Sequence, residues 1–165
     1  GLERIGADRK RCVRVAASIL RSFSHRGMDE PQRSVGHLAA LQAYEQAGLG
    51  PEDMHVAEVH DASAMGEILQ AENLGFVPFG EAGPAAERGE FTVGGRIPIN
   101  PSGGLESKGH PLGATGIGQL YELVTQLRGE AGQRQVAGAR HAIQENGGGM
   151  QGIEEAAVAI HILTV

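Results

Sequence analysis

The chain carries one cysteine, no tryptophan and few aromatic residues of any kind. A lone Cys12 excludes an internal disulfide, and no Cys-x-x-Cys or His-x-x-x-His spacing offers a zinc site. A metal is therefore not expected, and a reducing cytoplasm is the expected setting. Cys12 also lacks a neighbouring histidine or helix start that would favour its thiolate, so it is read as structural. Long apolar runs are missing too: the longest, Val15 to Leu20, falls short of a membrane span or a signal-peptide core. Basic residues are outnumbered, with 14 Lys and Arg against 20 Asp and Glu. The resulting formal charge of −6 has the wrong sign for a surface that gains affinity by neutralising phosphates, which argues against nucleic acid as a partner.

What the chain does have is a composition suited to one globular domain: 165 residues, of which 41% are hydrophobic. Its 26 glycines are concentrated, many between Gly94 and Gly118 and again between Gly147 and Gly152. Clustered glycine marks backbone that must adopt positive φ or let another group approach closely.

Val13 to Leu20 has the mixed alternation of a mostly buried strand. Apolar residues then recur at helical spacing from Ser34 to Ala47, ahead of Gly48. Val56, Ala57 and Val59 predict a short strand ending at His60-Asp61, and Ile68, Leu69 and Leu74 a helix closed by Gly75. Residues 76–109 are rich in glycine and proline, which predicts an irregular connection covering a site. Ile117, Leu120, Val124 and Leu127 form one stripe of a helix running from Pro111 to Arg128. A strand from Val136 to Ile143, a turn at Gly147-Gly148-Gly149 and a last strand from Ala156 to Leu163 complete the chain. This order predicts an α/β domain: a mixed sheet flanked by helices on both faces in three layers, with its first strands parallel and its last two related as a hairpin.

Ligands in such sheets sit beyond the carboxyl ends of strands, where His60 and Glu145 are expected. His110 precedes a proline suited to the first helical position, which would make it an N-cap. There the helix dipole disfavours an imidazolium and leaves a neutral ring able to accept a proton. Gly109, Gly113 and Gly116 strip side chains from its approach, although a plain capping role is the alternative. His60 can present an N–H to a developing oxyanion or simply satisfy nearby backbone. The glycines from Gly147 onward can form an anion-holding nest or an ordinary hairpin turn. Glu145 is a second acid/base candidate or a solvated carboxylate.

Asn100-Pro101-Ser102-Gly103-Gly104-Leu105, running into Ser107-Lys108-Gly109-His110-Pro111-Leu112-Gly113-Ala114-Thr115-Gly116, closely resembles a signature of the thiolase superfamily. His60-Asp61, the segment Gln126 to Gly132 and the Gly147-Gly148-Gly149 run are similar to the sterol-carrier-protein and lipid-transfer-protein branch. The resemblance implies a C-terminal half, residues 1–165, of a duplicated α/β parent whose other half supplies a nucleophilic cysteine. It implies His110 as the group that activates that cysteine, His60 as an oxyanion donor, and Asn100, Gly109, Gly147 and Gly148 on the substrate side. No covalently bound cofactor is implied, and the coenzyme A thioester enters as substrate. The parent is expected to be a homodimeric acyltransferase of lipid metabolism, of the acetyl-CoA acetyltransferase or 3-ketoacyl-CoA thiolase type.

Two departures qualify this reading. Glu145 stands where many thiolases carry a cysteine, and Ala62 where this branch often has another. A retro-aldolase acting on β-hydroxyacyl-CoA with an OB-fold partner is therefore a second implication, and a non-catalytic acyl-CoA or lipid-binding module a third.

Overall fold

The computed structural model describes Gly6 and residues 8–165. Four strands form one mixed sheet: β1 (Arg14–Ser22), β2 (Val56–Glu58), β3 (His141–Gln151) and β4 (Glu154–Thr164), in the order β1-β4-β3-β2. β3 pairs antiparallel with β4 and parallel with β2, while β1 runs antiparallel to β4 at the far edge. β1 and β2 thus point the same way but lie at opposite borders. Among the described residues five α-helices accompany the sheet: α1 (Val35–Ala47), α2 (Ala64–Asn73), α3 (Ala82–Glu87), α4 (Gly104–Lys108) and α5 (Thr115–Leu127).

Alternation along the strands sorts the core into two layers. Ala57, Ile143, Val158, Ile160 and Ile162 point to one face, where Val35, Ala39, Ala40 and Ala43 of α1 and Ala71 of α2 pack against them. Val56, Ala142 and Leu163 point to the other, against Leu123 and Leu127 of α5. Helix, sheet and helix therefore form the expected three layers. The small residues of α1 let that helix approach the sheet closely. Its ends follow local chemistry: the Ser34 hydroxyl accepts the His37 N–H at 3.2 Å, and Gly48 takes a left-handed φ of 68°.

Several local expectations need correction. β1 is an edge strand, and Val15 and Leu20 are 58% and 76% exposed rather than buried. The irregular stretch contains α3 and α4. The strand expected from Val136 begins at His141 and runs through Gln151, so Gly147, Gly148 and Gly149 lie inside it; the reversal falls at Gly152-Ile153. Gly147 and Gly148 pair with Val158 and Ala157 across the hairpin. Asn-Gly favours a turn locally, but ladder pairing with an apolar β4 outweighs it here.

α5 starts at Thr115, not at Pro111, because Gly113 adopts a φ of 80° that no right-handed helix accommodates. A separate turn, closed by Ala114 N–H to Pro111 O, precedes it. His110 is therefore not a helix cap. Ile117, counted in the apolar stripe, is 68% exposed, and Leu123 takes the buried place.

Candidate functional site

His60 leaves the carboxyl end of β2 and His110 leaves the loop after α4, and their imidazoles meet with ring centroids 4.9 Å apart. Two elements hold them there. Asp61 is buried, and its Oδ1 accepts the Leu105 N–H at 2.7 Å, tying the end of β2 to the start of α4. Gly104 makes that approach possible, since a Cβ at this position would fall 1.9 Å from Asp61 Oδ2. Thr115, at the first turn of α5, fixes the His110 ring by a 2.6 Å contact between its Oγ1 and Nδ1. The Thr115 hydroxyl also lies 3.3 Å from Pro111 O; with its hydrogen directed there its oxygen accepts from Nδ1–H, and in the neutral ring Nε2 is then the nitrogen that can accept a proton.

His60 is half-buried, and burial, helped by the neighbouring His110, holds its pKa below the ordinary histidine value. A neutral ring that retains one N–H is the outcome. Gly147 provides the room: a Cβ there would stand 2.9 Å from His60 Nδ1 and 2.7 Å from Glu155 Cγ. Gly148 is less constrained, with only Ala157 O within reach at 3.6 Å.

Glu145 lies within β3 rather than at its end, and none of its surface is exposed. Its Oε2 accepts the His60 backbone N–H at 2.9 Å, whereas Oε1 has no hydrogen-bond partner. Desolvation raises its pKa to about 8, so the carboxyl is mostly protonated at neutral pH. A solvated carboxylate is thus replaced by a sealed acid beneath His60.

The other expected residues are placed apart. Asn100, at a φ of 50°, turns its Oδ1 onto the Val59 N–H at 2.8 Å and so secures the backbone just ahead of His60. Gly109, at a φ of 87°, caps α4 through its N–H to Leu105 O. Lys108, within the signature run, pairs with buried Glu58 at 3.4 Å. Cys12 donates its thiol to Asp8 O.

Two cavities open on the histidine pair. One, of about 460 Å3, runs from His60 and His110 past Met65, Leu69, Phe79, Leu112, Met150 and Ile153, an apolar passage with Gln70, Asn73 and Glu155 along its floor. The second, of about 380 Å3, lies on the α5 side between His60, His110, Asn146 and His161, with Gly147, Gly148 and Gly149 as bare backbone along its wall. Two imidazoles at the junction of an apolar passage and a glycine-lined wall, one of them the neutral His60, can accept one proton and steady one developing oxyanion. In the sequence Asp61 enters only as part of the His60-Asp61 match, without a role, and His161 reads as a surface or core residue; their roles arise from contacts between segments distant in the chain.

A family model described as thiolase C-terminal domain-like matches residues 17–161. The chain belongs to this family. Among its relatives, rat (Rattus norvegicus) sterol carrier protein 2 is 56% identical over 108 residues, covering 66% of this chain and 20% of that protein. An acetyl-CoA acetyltransferase of Methanothermobacter thermautotrophicus is 51% identical over 126 residues, covering 76% of this chain and 32% of that one. The solved Ltp2-ChsH2(DUF35) aldolase superposes with a TM-score of 0.77 at 23% identity, over 93% of this chain and 39% of that chain, a likeness of fold. The chain thus spans between a fifth and a third of the curated relatives it matches. Among the described residues no helix is long and apolar enough to cross a membrane.

Proposed function

We propose that this chain is the histidine-bearing half of a cytoplasmic acyl-CoA acyltransferase of the acetyl-CoA acetyltransferase or 3-ketoacyl-CoA thiolase type, active as a homodimer in lipid metabolism. The observation that carries the reading is the contact between His60 and His110 where both cavities meet. His110 Nε2 takes the proton of a nucleophile contributed by another segment of the complete protein. That nucleophile attacks the thioester carbonyl of an acyl-CoA, and the oxyanion is held by the neutral His60 N–H. Coenzyme A leaves as the tetrahedral centre collapses, carrying the proton returned by His110. Gly147 and Gly148 shape the wall beside the reacting carbonyl, while Asn100 and Gly109 hold the loops that present the two histidines. Taken alone, the chain is expected to be inactive, because the nucleophile lies elsewhere.

The deciding experiment is acyl-enzyme formation by the complete protein from a radiolabelled acyl-CoA. Label should accumulate in the wild type and be lost in His110→Ala with the fold intact; undiminished labelling of the variant would reject the assignment.

A second reading is favoured by the burial of Glu145. Condensation of two acyl-CoA molecules requires an open base to remove an α-proton, and this carboxyl is sealed. Retro-aldol cleavage of a β-hydroxyacyl-CoA can run on the histidine pair alone. His110 Nε2 takes the hydroxyl proton, the Cα–Cβ bond breaks to release a carbonyl product and leave its electron pair on a thioester enolate held by the His60 N–H, and His110 returns the proton to Cα. An OB-fold partner belongs to this alternative. Cleavage of a β-hydroxyacyl-CoA without thiolysis of a 3-ketoacyl-CoA would select it. A binding module without catalysis would leave both substrates unchanged.

A further inference from the structure

A third histidine faces the cavity on the α5 side, and its protonation pattern is dictated from the interior of the sheet. The main-chain oxygen of Glu145 can only accept, and Gln119 Nε2 donates to it at 2.9 Å. This turns the Gln119 amide so that Oε1 meets Gln144, whose Nε2 donates to it at 2.9 Å. Gln144 is then left with Oε1 toward His161 Nδ1, at 2.6 Å. An amide oxygen has no hydrogen to give, so Nδ1 must carry one and Nε2 is the bare nitrogen. Both glutamines are buried to 1% exposure or less, which leaves neither amide a solvent partner for the flipped arrangement.

His161 itself is half-buried and lines the same cavity as His60, His110 and Asn146. Burial keeps its pKa below the ordinary value, in accord with a neutral ring.

We infer that His161 is a fixed hydrogen-bond acceptor of this cavity, its Nε2 receiving an amide N–H or hydroxyl of the pantetheine arm of an acyl-CoA. The ligand class rests on the acyl-CoA reading above; the tautomer does not. His161 acts as a binding residue, with no step of bond making assigned to it. The relay through Gln119 and Gln144 prevents the ring from presenting a competing donor on Nε2, the arrangement that would repel such a group.

Histidine-selective nitrogen NMR of the complete protein tests each part. At pH 7.5 His161 should show a protonated Nδ1 and a bare Nε2, and Gln144→Leu should convert this to a mixture of tautomers. Saturation with acetyl-CoA should move the Nε2 resonance of His161 toward its hydrogen-bonded value, and His161→Ala should raise KM for acetyl-CoA about tenfold with kcat little changed. A protonated Nε2 in the free protein would overturn the relay. A response of His60 and His110 without His161 would overturn this inference alone, whereas silence of all three would overturn the acyl-CoA reading with it.

Discussion

Glu145 Oε2 accepts the backbone N–H of His60 at 2.9 Å, so a carboxyl group with no exposed surface holds the residue at which both cavities meet. A buried acid of this kind ties stability to pH. Its folded pKa of about 8 lies above the unfolded value of 4.5, so the folded state binds the additional proton between them. The stability contributed is complete below pH 4.5 and is lost as pH rises through about 8. Glu145→Gln should abolish that slope, and subtracting its urea midpoints from those of the wild type between pH 5 and 9 isolates it. A wild type whose midpoints track the variant over this range would show that the carboxyl is ionised throughout.

Gly147 and Gly148 stand side by side in β3 but differ in what surrounds them. Gly147→Ala places a methyl 2.9 Å from His60 Nδ1 and should displace the ring, costing ~1–3 kcal/mol in stability and most of the turnover of the complete protein. Gly148→Ala meets only Ala157 O at 3.6 Å and should leave stability nearly unchanged. Thermal melts and steady-state kinetics of the pair would check this, and equal effects would remove the special role of Gly147.

The link from Asp61 to Leu105 predicts a remote effect on His110. Asp61→Ala leaves the Leu105 N–H without its partner and should cost about 1–3 kcal/mol. Faster amide exchange across α4 and a lowered kcat should accompany it. Unchanged exchange at residues 104–110 would sever the proposed connection.

His110→Asn keeps a polar side chain of similar reach but cannot act as a base. A fall of roughly 10²–10⁴-fold in acyl-enzyme formation is expected, with circular dichroism unchanged. An exposed side chain held by one hydrogen bond to Thr115 and a ring contact with His60 carries little of the fold, so a large loss of stability would instead assign it a structural role.

Much of this architecture is legible in the chain because local chemistry and tertiary packing agree. Ser34 and Gly48 bracket α1 to within a residue, and the strand before His60 and the helix after it follow from spacing alone. The disagreements occur where glycine has two meanings. At 147–149 it serves close approach inside a strand, and at 113 it stops a helix four positions from its expected start, displacing His110 from the cap. The resemblance assigns His60 and His110 separate roles without bringing their rings together, and the burial of Glu145 follows from the register of β3 against β2, which pairs Glu58 with Gln144 and sets the next residue, Glu145, against the backbone N–H of His60. His161 reads from the sequence as a surface or core residue, because its significance lies in two buried glutamines from other elements.

Both lateral borders of the sheet carry features that disfavour pairing with a further strand. β2 is three residues long, and its outer backbone is occupied by Pro98 and Asn100, which bond to Ala57 on either side. β1 shifts register between Val15 and Ala17, and the Gln46 side chain takes the outward N–H of Ser18 at 3.0 Å. A ribbon so finished resists lateral self-templating, the route by which open β-edges seed fibrils, even with Val15 and Leu20 facing solvent.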